Sequence, residues 1–410
     1  MSTAFTGRRE RAVDYFSPSV RMGLATAVAL ESGGLLRSAH VDACLAPGWA
    51  ARALARAAGQ RTMNRVVAGI PAARLRRHPQ LLVLARARRR MVLSGYDTTL
   101  VDRALSRAFR SIARQCDSPA VVGLQSGSLE LFAGRQHRIM EQVSPPLRHE
   151  SAVAAEELAR FPGWAPERVA RLSGWDHRME AEWQLADLIW VPSAHLIDIS
   201  QGFGAPRGKF RVIPYPIPGD QRAPRRRDFR AHGSLRIVFA GTLMLHKGVQ
   251  YIHQALRARP DLPVTVDFFG PANLTPLGLR RLSEVGTIHG PVPRARLLEE
   301  FRRADVLLFP SLSEGSALVT LEAAALGLPV VATPEAGGPA CAMTIPARSP
   351  DAIIEAIEAL AADRALLERL SAAGLAEAAG RTAAAFGARV VESAGELVGA
   401  SPTMPWPDDR

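Results

Sequence analysis

From residue 235 onward the chain alternates short β-rich runs with longer segments of helical periodicity, and few folds accept that rhythm. The runs are LRIVFAGTL (235–243), VTVDFFG (264–270), GTIHG (286–290), ADVLLFPS (304–311), LPVVAT (328–333) and AMTIP (342–346). Between them lie GVQYIHQALRA, RARLLEEFRRA and ALVTLEAAALG, with apolar residues at helical spacing, the last ending on Gly327 as a C-cap would. Near-continuous apolar strands separated by helices predict a parallel sheet covered on both faces. The first half is less regular, but VDYFS (13–17), SAHVDACL (38–45), AVVGLQ (120–125), RIMEQVS (138–144), DLIWVPS (187–193) and KFRVIPYPI (209–217) read as strands of a second α/β unit. Segment 46–118 is rich in Arg and Ala and reads as mostly helical, without a strand signal.

At 410 residues the chain is long enough for two or three domains, each with its own core. The polar, basic, proline-interrupted stretch PGDQRAPRRRDFRAHGS is the linker candidate, near residues 218–233. The expected division is a first domain at 1–218, a second at 219–390, and a helix end and tail at 391–410. Apolar residues at 47% and charged residues at 22% give a globular balance. The net charge of +12 is carried almost wholly by residues 1–220, which hold 30 basic and 19 acidic side chains. Only Lys209 and Lys247 are lysines, so the arginine excess reflects a general bias and is weak support for nucleic-acid binding. The basic clusters RLRRH (74–78) and RARRR (86–90) have no interleaved aromatics, which excludes a nucleic-acid reading and leaves solvated helix faces or peripheral contact with an anionic membrane. Cys44, Cys116 and Cys341 are isolated, as free thiols in a reducing compartment would be. The N-terminal MSTAFTGRRERAVDYF has no apolar core, and no run of 18 apolar residues follows, so neither a signal peptide nor a spanning helix is expected. The expected location is cytoplasmic.

Chemistry concentrates in PSLSEGSALVTLEAAALGLPVVATPEAGG (310–338), where a strand ends, a small polar loop follows, and a helix begins. Gly315 and Ser316 permit close backbone approach, and a helix opening near Ala317 and Leu318 aims unpaired N–H groups and a positive dipole end at a ligand. Such a site takes an anionic or hydroxyl-rich molecule. Glu314 and Glu322 stand eight positions apart across this turn; they fit hydrogen-bond acceptors for sugar hydroxyls, or equally an N-cap-region acid and a solvated helix residue. In FAGTLMLHKGVQYIHQAL (239–256), Gly241 and Thr242 fall at a strand end and Lys247 just before a helix, where a cation opposes the dipole and is well suited to a diphosphate.

The order FAGTLxxxKG, FFGP (268–271) and GPVPRARLLEEFRRADVLLFPSLSEGSALVTLEAAALGLPVVAT (290–333) resembles the nucleotide-sugar-binding domain of retaining GT-B glycosyltransferases of family 4, densely over about residues 236–335. EWQLADLIWVPSAHLIDISQGFGAPRGKFRVIPYPI (182–217) resembles the end of that family's first domain. The resemblance implies a GT-B fold, with two Rossmann-like α/β/α domains facing each other across a cleft, and transfer of a sugar from a nucleotide-sugar donor to a carbohydrate or lipid-linked acceptor. It implies that Glu314 meets hydroxyls of the donor sugar, Glu322 the ribose, and Lys247 the diphosphate, with Glu314 and Lys247 as the catalytic pair. Backbone around Gly315, Ser316, Ala317 and Leu318 would line the sugar and phosphate, and the base would lie near Gly270, Pro271 and residues 289–297. Thr242 stands where the family often has an Arg, and His246 where some relatives have another, so a cation that would stabilise the leaving group is missing.

No D-x-D sequence occurs, and with protein cations and helix dipoles facing the leaving group neither a metal nor another cofactor is expected. On the acceptor side the candidates are Arg21 and Gly23 near the first strand end and His149 after a Pro-Pro turn; Glu156 and Glu157 read as a solvated helix face. Two alternatives stay open: a GT-B epimerase, which needs no acceptor, and a non-catalytic glycosyltransferase-like subunit binding a partner or a glycan.

Overall fold

Runs of Val, Ile, Leu and Phe too apolar to face water on either side become the strands of two parallel sheets, each flanked by helices. The computed structural model describes residues 13–18, 24–44, 67–93, 96–166, 175, 177–217, 229 and 234–399. The first sheet contains β1 (Val13–Ser17), β2 (Leu36–Val41), β3 (Leu75–Arg77), β4 (Ala120–Leu124), β5 (His137–Glu141), β6 (Leu188–Val191) and β7 (Phe210–Val212), in the order β3-β2-β1-β4-β5-β6-β7. The second contains β8 (Leu235–Ala240), β9 (Val264–Phe269), β10 (Thr287–Gly290), β11 (Val306–Phe309), β12 (Val330–Ala332) and β13 (Met343–Thr344), in the order β10-β9-β8-β11-β12-β13. Every strand expected from the sequence is present, which makes the fold a two-domain α/β architecture. β3 is an addition within the segment read as helical. It is a three-residue edge strand whose Arg76 and Arg77 are exposed, so it offers no apolar period to read.

In each sheet the strand order reverses once, between β1 and β4 and between β8 and β11. Loops leaving the carboxyl ends on either side of such a switch point diverge and leave a crevice. The two sheets turn these ends toward each other. Gly315, beyond β11, lies against Val143, beyond β5: a Cβ on Gly315 would stand 1.9 Å from the Val143 carbonyl oxygen. From the end of β6, Ser193 Oγ donates to the Gly315 carbonyl at 2.6 Å.

The domains also trade elements. Helix Leu147–Arg160 follows β5 in sequence, yet its Val153, with Trp164 and Ala165 beyond it, packs into the core of the second sheet. Glu157 on this helix is fully buried and accepts from Gln250 Nε2 at 2.8 Å, Tyr251 OH at 2.7 Å and Arg348 Nε at 2.7 Å. The solvated face expected of Glu156 and Glu157 therefore holds for Glu156, which is exposed and pairs with Arg348 at 2.7 Å, and fails for Glu157, which is enclosed. A carboxylate that reads as solvated is buried here because partners from remote segments satisfy it.

In the other direction, helix Ala383–Val398 returns to the first domain. Its Phe386, Val390, Val391 and Ala394 join the core of the first sheet, and Trp190 Nε1 donates to Ser393 Oγ at 2.9 Å. Gly33 makes the seat, since a Cβ there would lie 2.3 Å from Val391 Cγ2. The boundary expected at 390 thus cuts a continuous helix that belongs to the first core. Residues 401–410, and the linker at 218–233 apart from Phe229, lie outside the described residues.

Two measurements probe these contacts. Glu157→Ala strands the buried Tyr251, Gln250 and Arg348 groups and is expected to cost about 3–5 kcal/mol in denaturant unfolding, while Glu156→Ala costs under ~1 kcal/mol. Gly315→Ala must push the Val143 backbone away and is expected to lose about 1–3 kcal/mol by the same assay, whereas Gly202→Ala, in open space, is neutral or stabilising.

Candidate active site at the second switch point

Across the β8–β11 switch point two loops bind each other. From β8 the chain passes Gly241 and enters the short helical turn Leu245–Lys247, which Gly248 ends with φ of +76°. A Cβ at Gly248 would lie 2.0 Å from the Pro310 carbonyl oxygen, so both backbone conformation and space require glycine. The loop after β11 answers with two hydrogen bonds to the His246 carbonyl, from Leu312 N at 2.8 Å and Ser311 Oγ at 3.2 Å. This stitching places Lys247 Nζ against Glu314 Oε1 as an ion pair, the two side chains only 16% and 18% exposed. Sixty-seven residues apart in sequence, the two side chains meet in one place. An ammonium has three donors and no acceptor, so Lys247 can hold Glu314 and an incoming anion together.

The other sequence-selected residues frame this pair. Gly270, with φ of +134°, abuts Gly241: a Cβ there would lie 2.0 Å from the Gly241 carbonyl oxygen, and Pro271 is exposed next to it. Thr242 is half-buried and brings no charge. Helix Leu318–Ala325 starts from Ala317, whose N–H is taken by the Ala336 carbonyl at 2.9 Å; no side chain caps it, and Leu318 and half-buried Ser316 lie at its open end. Its first free N–H groups therefore remain as an anion-directed dipole end.

Glu322 points elsewhere, to Arg294, with Arg294 Nη2 donating to Glu322 Oε1 at 3.0 Å. Arg294 opens the helix Arg294–Arg303 after β10, inside the segment expected to flank the base. The sequence reading missed it. The signal was available, because a cation on the first turn of a helix is the same unfavourable placement that singled out Lys247.

His246 adds no charge: burial, with the Lys247 ammonium beside it, drives its pKa down to about 3, so it is neutral at physiological pH. It cannot replace the arginine absent at Thr242. On the facing domain, His149 is half-buried with Nε2 unpartnered, its ring edge-on to Phe203 at 6.1 Å. Burial lowers its pKa, with His195 and Arg348 acting in the same direction. Arg21 and Gly23 lie outside the described residues. Among the described residues no group of three or more His, Cys, Asp or Glu side chains could hold a metal ion, and no helix is long and apolar enough to cross a membrane.

Residues 234–363 match the family model of glycosyl transferases group 1. The chain is 30% identical over 220 residues to a D-inositol 3-phosphate glycosyltransferase of Xylanimonas cellulosilytica, covering 48% of this chain and 52% of that protein. It is 29% identical over 270 residues to the enzyme of that name from Nocardia farcinica, covering 57% and 58%. The chain thus aligns with about half the length of these curated relatives. Among solved structures it is similar to a sucrose-phosphate synthase from Thermosynechococcus elongatus, with TM-score 0.59, 15% identity, and coverage of 95% of this chain and 100% of that one. It is also similar to Anabaena HepE in complex with UDP and glucose, with TM-score 0.57, 13% identity, and coverage of 94% and 100%. Residues 234–363, which contain Lys247, Glu314, Glu322 and Arg294, are the part of the chain that matches glycosyl transferases group 1, and the pair of facing sheets that carries it has the GT-B fold.

Proposed function

We propose that the protein is a glycosyltransferase, moving a sugar from a nucleotide-sugar donor to the hydroxyl of a carbohydrate or lipid-linked acceptor. The observation that carries this reading is the meeting of Lys247 and Glu314 at the switch point of the domain that matches the family, beside an uncapped helix start. The relative HepE is described with UDP and with UDP-glucose, which makes uridine donors the first to test.

In the proposed reaction the acceptor oxygen bonds to the anomeric carbon as the bond from that carbon to the β-phosphate oxygen breaks. The diphosphate leaves with the electron pair and takes the acceptor proton, and attack from the side of departure retains the anomeric configuration. Charge building on the β-phosphate is met by the Lys247 ammonium and the amides opening helix Leu318–Ala325, with no metal or other cofactor required. In this reading Glu314, in contact with Lys247, accepts from sugar hydroxyls. In the same reading Glu322, held by Arg294, meets the ribose.

Lys247→Ala is expected to weaken nucleotide binding about 10- to 100-fold, and Glu322→Gln to weaken it less. Calorimetry that finds unchanged affinity for UDP, GDP and ADP sugars would remove the donor assignment. A second reading, a non-catalytic subunit, draws support from Thr242 and neutral His246, which leave the leaving group one side-chain cation fewer. Turnover by the isolated chain excludes it.

We further propose a cytoplasmic location with peripheral contact at an anionic membrane face. The helices Pro79–Leu93 and Thr99–Ala113, with Tyr96 between them, present three strongly exposed apolar side chains, Val83, Tyr96 and Leu100, at 67%, 70% and 77% exposure. Arg86, Arg89 and Arg90 are exposed on the first of these helices. Apolar anchors beside cations suit an anionic bilayer, at about 1 kcal/mol per charge. Flotation with vesicles containing phosphatidylserine is expected to carry the protein, and neutral vesicles or replacement of the three arginines by Glu to release it.

A further inference from the structure

The first sheet has a crevice at its own switch point. A cavity of about 430 Å³ opens there, between the ends of β1 and β4, with Pro18 on one side and Leu124, Gln125 and Ser126 on the other. That volume is in the range of small-molecule sites, and so is the location. The helix pair Pro79–Leu93 and Thr99–Ala113 supplies its apolar wall through Leu81, Val92, Leu105 and Phe109, with Trp175 and Met179 opposite.

Most polar groups in this wall are already bonded to the protein, and the half-buried Glu150 carboxylate lines it as well. Gln125 Oε1 accepts from Val143 N at 2.6 Å and Ser144 N at 2.9 Å, and its Nε2 donates to Ser144 Oγ at 2.6 Å. Ser126 N donates to Glu182 Oε2 at 2.7 Å, and the Ser126 carbonyl accepts from Arg178 Nε at 3.2 Å. Arg88 donates to Asp102 at 2.6 Å and lies over the Trp175 ring at 5.2 Å. A bare carbohydrate in this space would find few partners, and each unpaired hydroxyl costs about 1–3 kcal/mol. An apolar body loses nothing of the kind. Arg89 is different: it lines the cavity, is exposed, and has no hydrogen-bond or ion-pair partner among the described residues.

Val143 and Ser144 belong to both sites. They line the cavity, and they form the seat on which Gly315 rests beside the donor loop. A molecule with its apolar part in the cavity would therefore hold its polar end next to the second domain's switch point.

We infer that this cavity is the acceptor subsite for an amphiphile: the apolar body fills it, an anionic linking group meets Arg89, and the acceptor hydroxyl is presented past Val143 and Ser144 toward Gly315. The assignment rests on the glycosyl-transfer reading for the word acceptor, and on the cavity alone for the ligand class.

The test uses the full chain and decyl phosphate below its micelle concentration, followed by calorimetry, with inorganic phosphate and decyl glucoside as further probes. Saturable one-to-one binding of decyl phosphate is expected, at least tenfold tighter than inorganic phosphate. Ala85→Trp, at an exposed helix position lining the cavity, is expected to weaken it tenfold or more while UDP affinity is unchanged, which also reports that the variant folds. Arg89→Ala, a surface change that leaves the core intact, is expected to weaken decyl phosphate several-fold and decyl glucoside hardly at all. Absence of saturable binding, equal affinity for inorganic phosphate, or indifference to Ala85→Trp overturns the inference while UDP binding keeps the donor reading alive. Decyl phosphate binding that is lost in Ala85→Trp, in a protein with no nucleotide affinity, supports the ligand class and brings down the transfer reading instead.

Discussion

One backbone contact organises the cleft. Gly315 has no side chain, so the loop after β11 can press directly on Val143 and accept a hydrogen bond from Ser193, bringing the carboxyl ends of two separate sheets within reach of each other. Parallel sheets leave their chemistry at those ends, because that is where the loops around a switch point part. Facing them turns two open crevices into one two-sided site. The exchanged helices keep that arrangement: Leu147–Arg160 is held in the second core through buried Glu157, and Ala383–Val398 in the first through Trp190 and the space at Gly33.

Within the second crevice the electrostatics are spare. One lysine, one helix start and one arginine are the positive groups of the proposed donor site, and each carboxylate there already has a cation, Glu314 with Lys247 and Glu322 with Arg294. A partly buried pair of this kind is weakly stabilising at best, since desolvation offsets much of the attraction. Its value lies in placement. The pair keeps a mobile ammonium at the switch point, where an anion can share it without either charge first being drawn out of water.

The two crevices differ in chemistry as their proposed ligands do. The second offers cations, amides and carboxylates; the first offers a largely apolar wall whose polar atoms are mostly used internally, with Arg89 exposed at its edge. The helix pair that encloses this wall also carries the exposed Val83, Tyr96 and Leu100 with their neighbouring arginines. The surface proposed to meet lipid and the cavity proposed to take an apolar body are thus built on the same pair of helices and share Arg89.

The α/β rhythm, the twelve expected strands, and the singular placement of Lys247 could be read in the chain, because local periodicity, strand ends and helix polarity are written over a few residues at a time, while Glu314 is marked out only by the family resemblance. β3 could not, being too short and too charged to show a period. Nor could the burial of Glu157, the pairing of Glu322 with Arg294, the return of helix Ala383–Val398 or the cavity beside β1 and β4. Each of these depends on groups brought together from distant parts of the sequence. Whether a carboxylate faces water or a remote arginine, and whether a helix ends in solvent or in another domain's core, is decided only when those parts are packed.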